Sequence, residues 1–130
     1  MSALLVAAIL VTAPLPDVEQ VDVAFDDVAA GRNAAAIAQI ESSAGDAVDH
    51  PASLINLGVA YAREGDHAQA RRLFERAATM NRHYQLETAG GAWVDSQALA
   101  INGWQWVTGE AWVPVLAFGV AVVAALVPVA

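Results

Sequence analysis

The sequence has no cysteine and no lysine. Without cysteine, disulfide bonds and thiolate metal ligands are excluded, and the redox compartment stays open. All six cationic side chains are arginines, between Arg32 and Arg82, and fourteen acidic residues bring the net charge to −8. Because proteins that bind nucleic-acid phosphates need clustered cations, this balance argues against a nucleic-acid partner.

Charged residues are also absent from both ends of the chain. Residues 1–16 and 111–130 contain none, so every charge lies between Asp17 and Glu110. Over the whole chain 15% of residues are charged and 57% are hydrophobic, against about 25% charged in ordinary soluble domains. We therefore expect one modest domain in the middle of the chain, flanked by two apolar segments.

The first apolar segment, residues 1–16, carries an apolar run over residues 3–13. This length is typical of a secretory signal peptide and is short for a membrane span, which needs roughly 20 residues. We interpret residues 1–16 as an export signal. Because no basic residue precedes the run, an uncleaved apolar anchor and a plain tail remain as alternatives.

The second apolar segment is residues 111–130. A helix of this length would span about 30 Å, the hydrocarbon thickness of a bilayer, and it would be apolar on every face. The segment therefore predicts a transmembrane helix. Its valines, together with Pro114, Gly119 and Pro128, make a poor helix in water. The alternative is an apolar tail that packs within the fold or is swapped between copies.

Between these ends, residues 54–81 show two apolar runs at helical spacing. Gly65 separates the runs and can adopt the left-handed conformation that ends a helix. Asp66 then predicts an N-cap, and Gln69, three residues later, completes a capping box. Two helices that meet at a tight corner are expected. Their inward-facing residues are Leu54, Leu57, Gly58 and Tyr61 in the first run, and Ala70, Leu73, Phe74 and Ala77 in the second.

The same residues carry a family resemblance. Leu57-Gly58-x-x-Tyr61, Ala70-x-x-x-Phe74 and Ala77 resemble the tetratricopeptide repeat, over residues 51–84. Leu54 stands where the family favours tryptophan, and Arg82 where it favours proline. The resemblance implies an all-α fold of antiparallel helix pairs, in which Gly58, Ala70 and Ala77 allow close approach.

A second, degenerate copy is indicated over residues 17–50. Gly31 lies 34 residues before Gly65, and at the same offset Ala36 matches Ala70 and Ile40 matches Phe74. Upstream, apolar residues step by three and four after Asp17, which predicts the first helix of this copy. These apolar residues are Val18, Val21, Phe25 and Val28.

Two repeats are fewer than the roughly three that such arrays usually need, so the last helix pair requires a cover. Residues 85–109 are the candidate. Gly90 and Gly91 predict a hairpin turn, and Ser96 predicts the cap of a helix over residues 97–107 that holds Leu99, Trp104 and Trp106. If this cover is insufficient, the exposed repeat end and the apolar tail would bury in a homo-oligomer.

No motif for catalysis, a cofactor or a metal ion is present. His50, His67 and His83 lie 17 and 16 residues apart, so no two share a helical face at ligand spacing. No serine stands in a nucleophile motif. We therefore predict that the chain is not an enzyme and uses no cofactor and no metal.

Three arginines cluster in the second helix, Arg71, Arg72 and Arg76. They form either a solvated face, answered by Glu64 and Glu75, or a patch for an acidic partner.

The resemblance also implies a binding surface, because ligands in this family usually lie on the concave face lined by first helices. Carried onto this chain, that surface consists of Ile55, Asn56, Val59, Ala62 and Arg63. We predict a non-catalytic protein–protein interaction module of a bacterial envelope, exported or associated with a membrane, that binds a peptide segment or protein partner there. The alternatives are that these residues pack against the degenerate first repeat, or that the chain self-associates.

Overall fold

A computed structural model describes residues 23–43, 49–109 and 122–128, the last in its backbone alone. These residues form five helices and three strands, and the fold is mainly α-helical, as predicted. The elements are α1 Phe25–Ala29, α2 Asn33–Ser42, α3 Pro51–Arg63, α4 His67–Ala78, β1 Tyr84–Thr88, β2 Trp93–Asp95, α5 Ser96–Thr108 and β3 Val122–Pro128.

Helices α3 and α4 form the antiparallel pair at the centre of the fold, and local chemistry sets their ends. Pro51 opens α3, where a missing N–H costs nothing. Gly65 has a φ of 87°, as expected of a left-handed helix terminator. Asp66 accepts a hydrogen bond from the backbone N–H of Gln69 at 3.1 Å. The cap is therefore confirmed.

The reciprocal half of the predicted capping box does not form. The backbone N–H of Asp66 donates to the carbonyl of Tyr61 at 3.0 Å. The side chain of Gln69 instead accepts from Arg72, at 2.7 and 3.1 Å. The prediction was wrong because the tight corner already satisfies the N–H that the glutamine would have bound.

The ring of Phe74 on α4 holds three helices together. A Cβ added at Gly58 on α3 would lie 2.9 Å from this ring, and one added at Gly103 on α5 would lie 2.5 Å from it. Both glycines therefore allow a close approach that no other residue type permits. The predicted packing role of Gly58 is confirmed, and Gly103 extends the same contact to α5.

Helices α1 and α2 precede this pair and pack on α3. Ala36 and Ile40 of α2 are buried, at the positions that correspond to Ala70 and Phe74. The hydroxyl of Tyr61 donates to the Glu41 carboxylate, and this hydrogen bond raises the pKa of Tyr61 to about 12. The first helix predicted from Asp17 was wrong for residues 23–24, because Ala24 is left-handed and α1 begins only at Phe25; residues 17–22 lie outside the described residues. Assignment of residues 17–50 to the repeat family stays a prediction.

The predicted hairpin is confirmed. Strands β1 and β2 pair antiparallel, with Leu86 opposite Val94, and Gly91 in the turn has a φ of 79°. Helix α5 follows at once and packs on α4, where it covers the end of the repeat.

The predicted cap of α5 was wrong by one residue. Asp95 is the N-cap, and its carboxylate accepts from the backbone N–H groups of Gln97 and Ala98, at 2.9 and 3.2 Å. Ser96 lies inside the helix, and its hydroxyl accepts from the backbone N–H of Tyr84 at 3.1 Å. Ser96 therefore ties the helix to the start of β1 and is not free to cap.

The predicted transmembrane helix over residues 111–130 was wrong for residues 122–128. These residues form β3, which pairs antiparallel with β1 from Tyr84 opposite Pro128 to Thr88 opposite Val122. The strand order in the sheet is β2-β1-β3. Valine favours strands, and Pro128 stands at the strand end, where a missing N–H is tolerated. The alternative of a tail packed within the fold describes these residues.

Among the described helices, none is both long enough and apolar enough to cross a bilayer. The export signal predicted for residues 1–16 lies outside the described residues.

Candidate functional site

The predicted binding residues lie on α3, the most buried helix of the described chain. Ile55, Asn56 and Val59 are each 0% exposed, and Ala62 is 6% exposed. Arg63, at the last turn, is half-buried. The structure brings the five residues together on one helix, as predicted, but it covers them with other parts of the same chain.

Part of this cover is residues 23–28, which we call the covering segment. The side-chain amide of Asn56 donates to the backbone carbonyl of Val23 at 2.9 Å. The Arg63 guanidinium donates through Nη1 to the backbone carbonyl of Val28 at 2.8 Å. Both polar residues of the predicted site therefore bind main-chain oxygens of the covering segment.

Burial accompanies these hydrogen bonds. Val23, Ala24 and Val28 are at most 3% exposed, and burial lowers the pKa of Arg63 from its usual value. A partly desolvated guanidinium forms a stronger hydrogen bond to a carbonyl than one in water does. The packing of the predicted site against residues 23–28, within the predicted first repeat, is thus observed, and binding of a partner there stays a prediction.

Side chains provide few of the local interactions that hold the covering segment. Helix α1 has 5 residues and no side-chain cap, and Ala24 at its N-cap adopts a left-handed φ of 52°, which is unfavourable for a residue with a Cβ. Asp27 pairs with Arg32 at 2.6 Å, but Arg32 is 58% exposed, and exposed pairs stabilise little. The contacts with α3 therefore add to the backbone hydrogen bonds of α1 and to its packing on α2.

A second candidate surface lies between α4 and α5, and we call it the α4–α5 groove. It has a volume of about 180 Å³. The Arg71 guanidinium lies 5.9 Å from the ring centroid of Trp104, within cation–π range. The residues that line the groove are Glu75, Ala78, Thr79, Ile101 and Trp104. The sequence did not predict this surface, since it depends on which face α5 turns towards Phe74.

The predicted partners of the arginines were wrong. Arg72 donates to the side chain of Gln69, and Arg76 pairs with Asp49. Glu64 accepts instead from the side-chain amide of Asn33 at 3.1 Å. Sequence spacing could not predict the partner of Arg76, because Asp49 lies before α3 and far from α4 in the sequence.

His50 combines packing with capping. Its Nδ1 accepts from the backbone N–H of Ala52 at 3.1 Å, and its ring lies 4.7 Å from that of Tyr84. Desolvation by burial lowers the pKa of His50 from 6.5 to about 4, so the ring is neutral near pH 7. In the described part of the chain, no three histidine or acidic side chains are placed to hold a metal ion.

Comparison with known proteins identifies residues 51–76 as a match to the tetratricopeptide repeat family. The match covers α3 and most of α4, the pair on which the resemblance was based. This repeat is typical of non-catalytic modules that mediate protein–protein interaction. No curated protein and no solved structure matches the chain.

Proposed function

We propose that this chain is a non-catalytic interaction module that binds an extended peptide segment of a partner protein on the α3 face. We define the α3 face as Ile55, Asn56, Val59, Ala62 and Arg63. The observation that carries the proposal is that Asn56 and Arg63 both donate hydrogen bonds to backbone carbonyls of the covering segment. The family match over residues 51–76 supports the same class of function.

Hydrogen bonds to main-chain carbonyls suit the binding of a partner segment, because every peptide has carbonyl oxygens. An amide and a guanidinium can therefore hold a partner segment whatever its sequence. A neutral hydrogen bond contributes about 0.5–1.5 kcal/mol, and one from a charged guanidinium about 1.5–3 kcal/mol. Ile55 lies next to Asn56 on α3, and Val59 lies between the two donors. They supply the apolar contacts that would select among partner segments.

A partner at this face must replace the covering segment. The same donors serve both segments, so the partner binds the fraction of molecules in which residues 23–28 have left α3. The apparent affinity is reduced by that fraction. The short α1 and the left-handed Ala24 lower the cost of this exchange.

The proposal is tested with a photo-crosslinking amino acid placed at position 63 or, as a control, at position 72. Both positions carry arginine, but Arg63 lies at the α3 face and Arg72 is exposed on α4. The probe removes the Arg63 donor from the covering segment and the partner alike, and Ile55, Asn56 and Val59 remain. We therefore expect the full-length chain with the probe at position 63 to crosslink a discrete partner in cells of the source organism. The probe at position 72 should not. Equal capture from both positions, or capture from position 72 alone, would overturn the proposal.

The location of the module is proposed separately. The apolar run over residues 3–13 supports export to a bacterial envelope, and peptide binding on α3 does not depend on it.

A further inference from the structure

The α4–α5 groove presents an apolar side chain that the fold leaves uncovered. Ile101 is 43% exposed, and within the described residues the other large hydrophobic with comparable exposure is Trp93, at 49%. Trp93 lies on β2, away from the groove. Ile101 instead lies beside Trp104 in a cavity of about 180 Å³, which gives an incoming apolar side chain a place to pack.

Two opposite charges accompany this apolar centre. Arg71 and Glu75 stand one helical turn apart on α4 and are exposed. Arg71 lies near Trp104, and Glu75 lines the groove. Neither side chain forms an ion pair with a described residue. With the cation N-terminal to the anion, they also stand in the less favourable order for pairing within one helix.

The order of these groups along the groove is fixed because α4 and α5 run antiparallel. The side chain of Gln97, at the start of α5, donates to the carbonyl of Ala78, at the end of α4, at 3.0 Å. Arg71, in the first half of α4, meets Trp104, in the second half of α5. The Arg71 cation therefore lies at one end of the groove. The Glu75 carboxylate and Ile101 lie further along it, towards the end of α4.

We propose that this surface binds a second copy of the chain in a twofold-symmetric dimer. A twofold axis across the groove brings Arg71 of one copy to Glu75 of the other, and the reverse contact forms at the same time. Between the two charge pairs, the exposed Ile101 side chains pack against each other and the Trp104 rings. A surface with a cation, an apolar centre and an anion in line is complementary to itself.

The small area of the surface indicates a weak dimer. Helix α4 has 12 residues, so it is about 18 Å long, and neighbouring helices lie about 10 Å apart. The two-helix surface therefore offers roughly 350 Å² per copy, below the about 800 Å² of a stable interface. We expect a weak dimer, with a dissociation constant of roughly 10–500 μM.

The test is sedimentation velocity of the full-length chain from about 1 μM to about 500 μM. Wild type is expected to shift from monomer to dimer across this range. Arg71→Glu and Glu75→Arg, each alone, place like charges opposite each other and should raise the dissociation constant at least about tenfold. The double variant Arg71→Glu/Glu75→Arg restores both pairs and should dimerise like wild type.

Ile101→Ser has a matched control in Trp93→Ser, since both remove a strongly exposed hydrophobic side chain. Ile101→Ser should abolish the dimer and Trp93→Ser should leave it intact, with helicity by circular dichroism unchanged in both. A chain that stays monomeric at every concentration would overturn the proposal. So would single charge variants that dimerise normally, or a double variant that fails to recover.

Discussion

Gly103 shows how a single residue determines helix packing in this fold. A glycine inside a helix costs about 1 kcal/mol relative to alanine, so a buried one at mid-helix indicates a close contact. Here the contact is with the Phe74 ring, 2.5 Å from where a Cβ would stand. The same ring lies against Gly58, which places α3, α4 and α5 around one aromatic side chain.

Gly103→Ala is expected to destabilise the fold by about 1–3 kcal/mol, because overpacking against Phe74 outweighs the gain in helix propensity. Chemical denaturation of the full-length chain measures the change. Asn102→Ala is the control, since it gives α5 a similar propensity gain without touching Phe74. If Gly103→Ala is as stable as Asn102→Ala, the close packing around Phe74 is not as described.

His50 makes stability depend on pH. Its folded-state pKa of about 4 lies below the ordinary value of 6.5, so between these values the unfolded chain binds the extra proton. The neutral His50 ring contributes to the free energy of unfolding above pH 6.5, and this contribution is lost as the pH falls towards 4. Protonation also removes the Nδ1 acceptor that caps α3.

We expect the free energy of unfolding to fall by about 1–2 kcal/mol over this range through His50, after allowance for its partial contact with solvent. His50→Asn keeps an N-cap acceptor that does not titrate, so its unfolding free energy should fall less on acidification. Denaturant unfolding at pH 7, 5.5 and 4 compares the two chains. Identical pH profiles would show that His50 does not contribute.

Among the helices and strands, the sequence predicted the elements whose ends are set by nearby residues. Helices α3 and α4 follow from apolar spacing, the left-handed Gly65 and the Asp66 cap, all within a few residues of each other. The hairpin follows from its glycine turn. These elements were recognisable because each carries its own start and end signals.

Strand β3 was not predictable in the same way. A charge-free segment of twenty residues meets the length criterion for a membrane helix, and its composition also suits a buried strand. The pairing of β3 with β1 joins residues such as Gln85 and Val127, which lie far apart in sequence. No residue near β3 in the sequence distinguishes a membrane helix from a strand that pairs with β1.

The candidate site was predicted in part. The residues of the α3 face were identified, including both polar donors. Packing against residues 17–50 was predicted as an alternative, but the individual contacts were not, because the hydrogen bond from Asn56 to Val23 spans 33 positions. The α4–α5 groove was missed, although Gly103 gave a usable signal. A mid-helix glycine marks the packed face of α5, which leaves Ile101 turned towards solvent.

For the whole molecule, these observations give a helix pair of tetratricopeptide type with one cover on each side. The covering segment binds the α3 face at one side, and α5 packs on α4 at the other. We propose that a partner displaces the covering segment from the α3 face and that a second copy binds at the α4–α5 groove. The two proposals use different surfaces, so each can fail alone.

The most direct test of the central claim is the affinity of Val28→Ala for the partner captured through position 63. Val28 is 0% exposed and belongs to the covering segment, so its truncation weakens the internal competitor without altering the α3 face. Fluorescence titration with the purified partner should show tighter binding, by up to about tenfold. Val94→Ala, the same change in β2, should leave the affinity unchanged. If Val28→Ala binds no more tightly than Val94→Ala, residues 23–28 do not occupy the partner's place on α3.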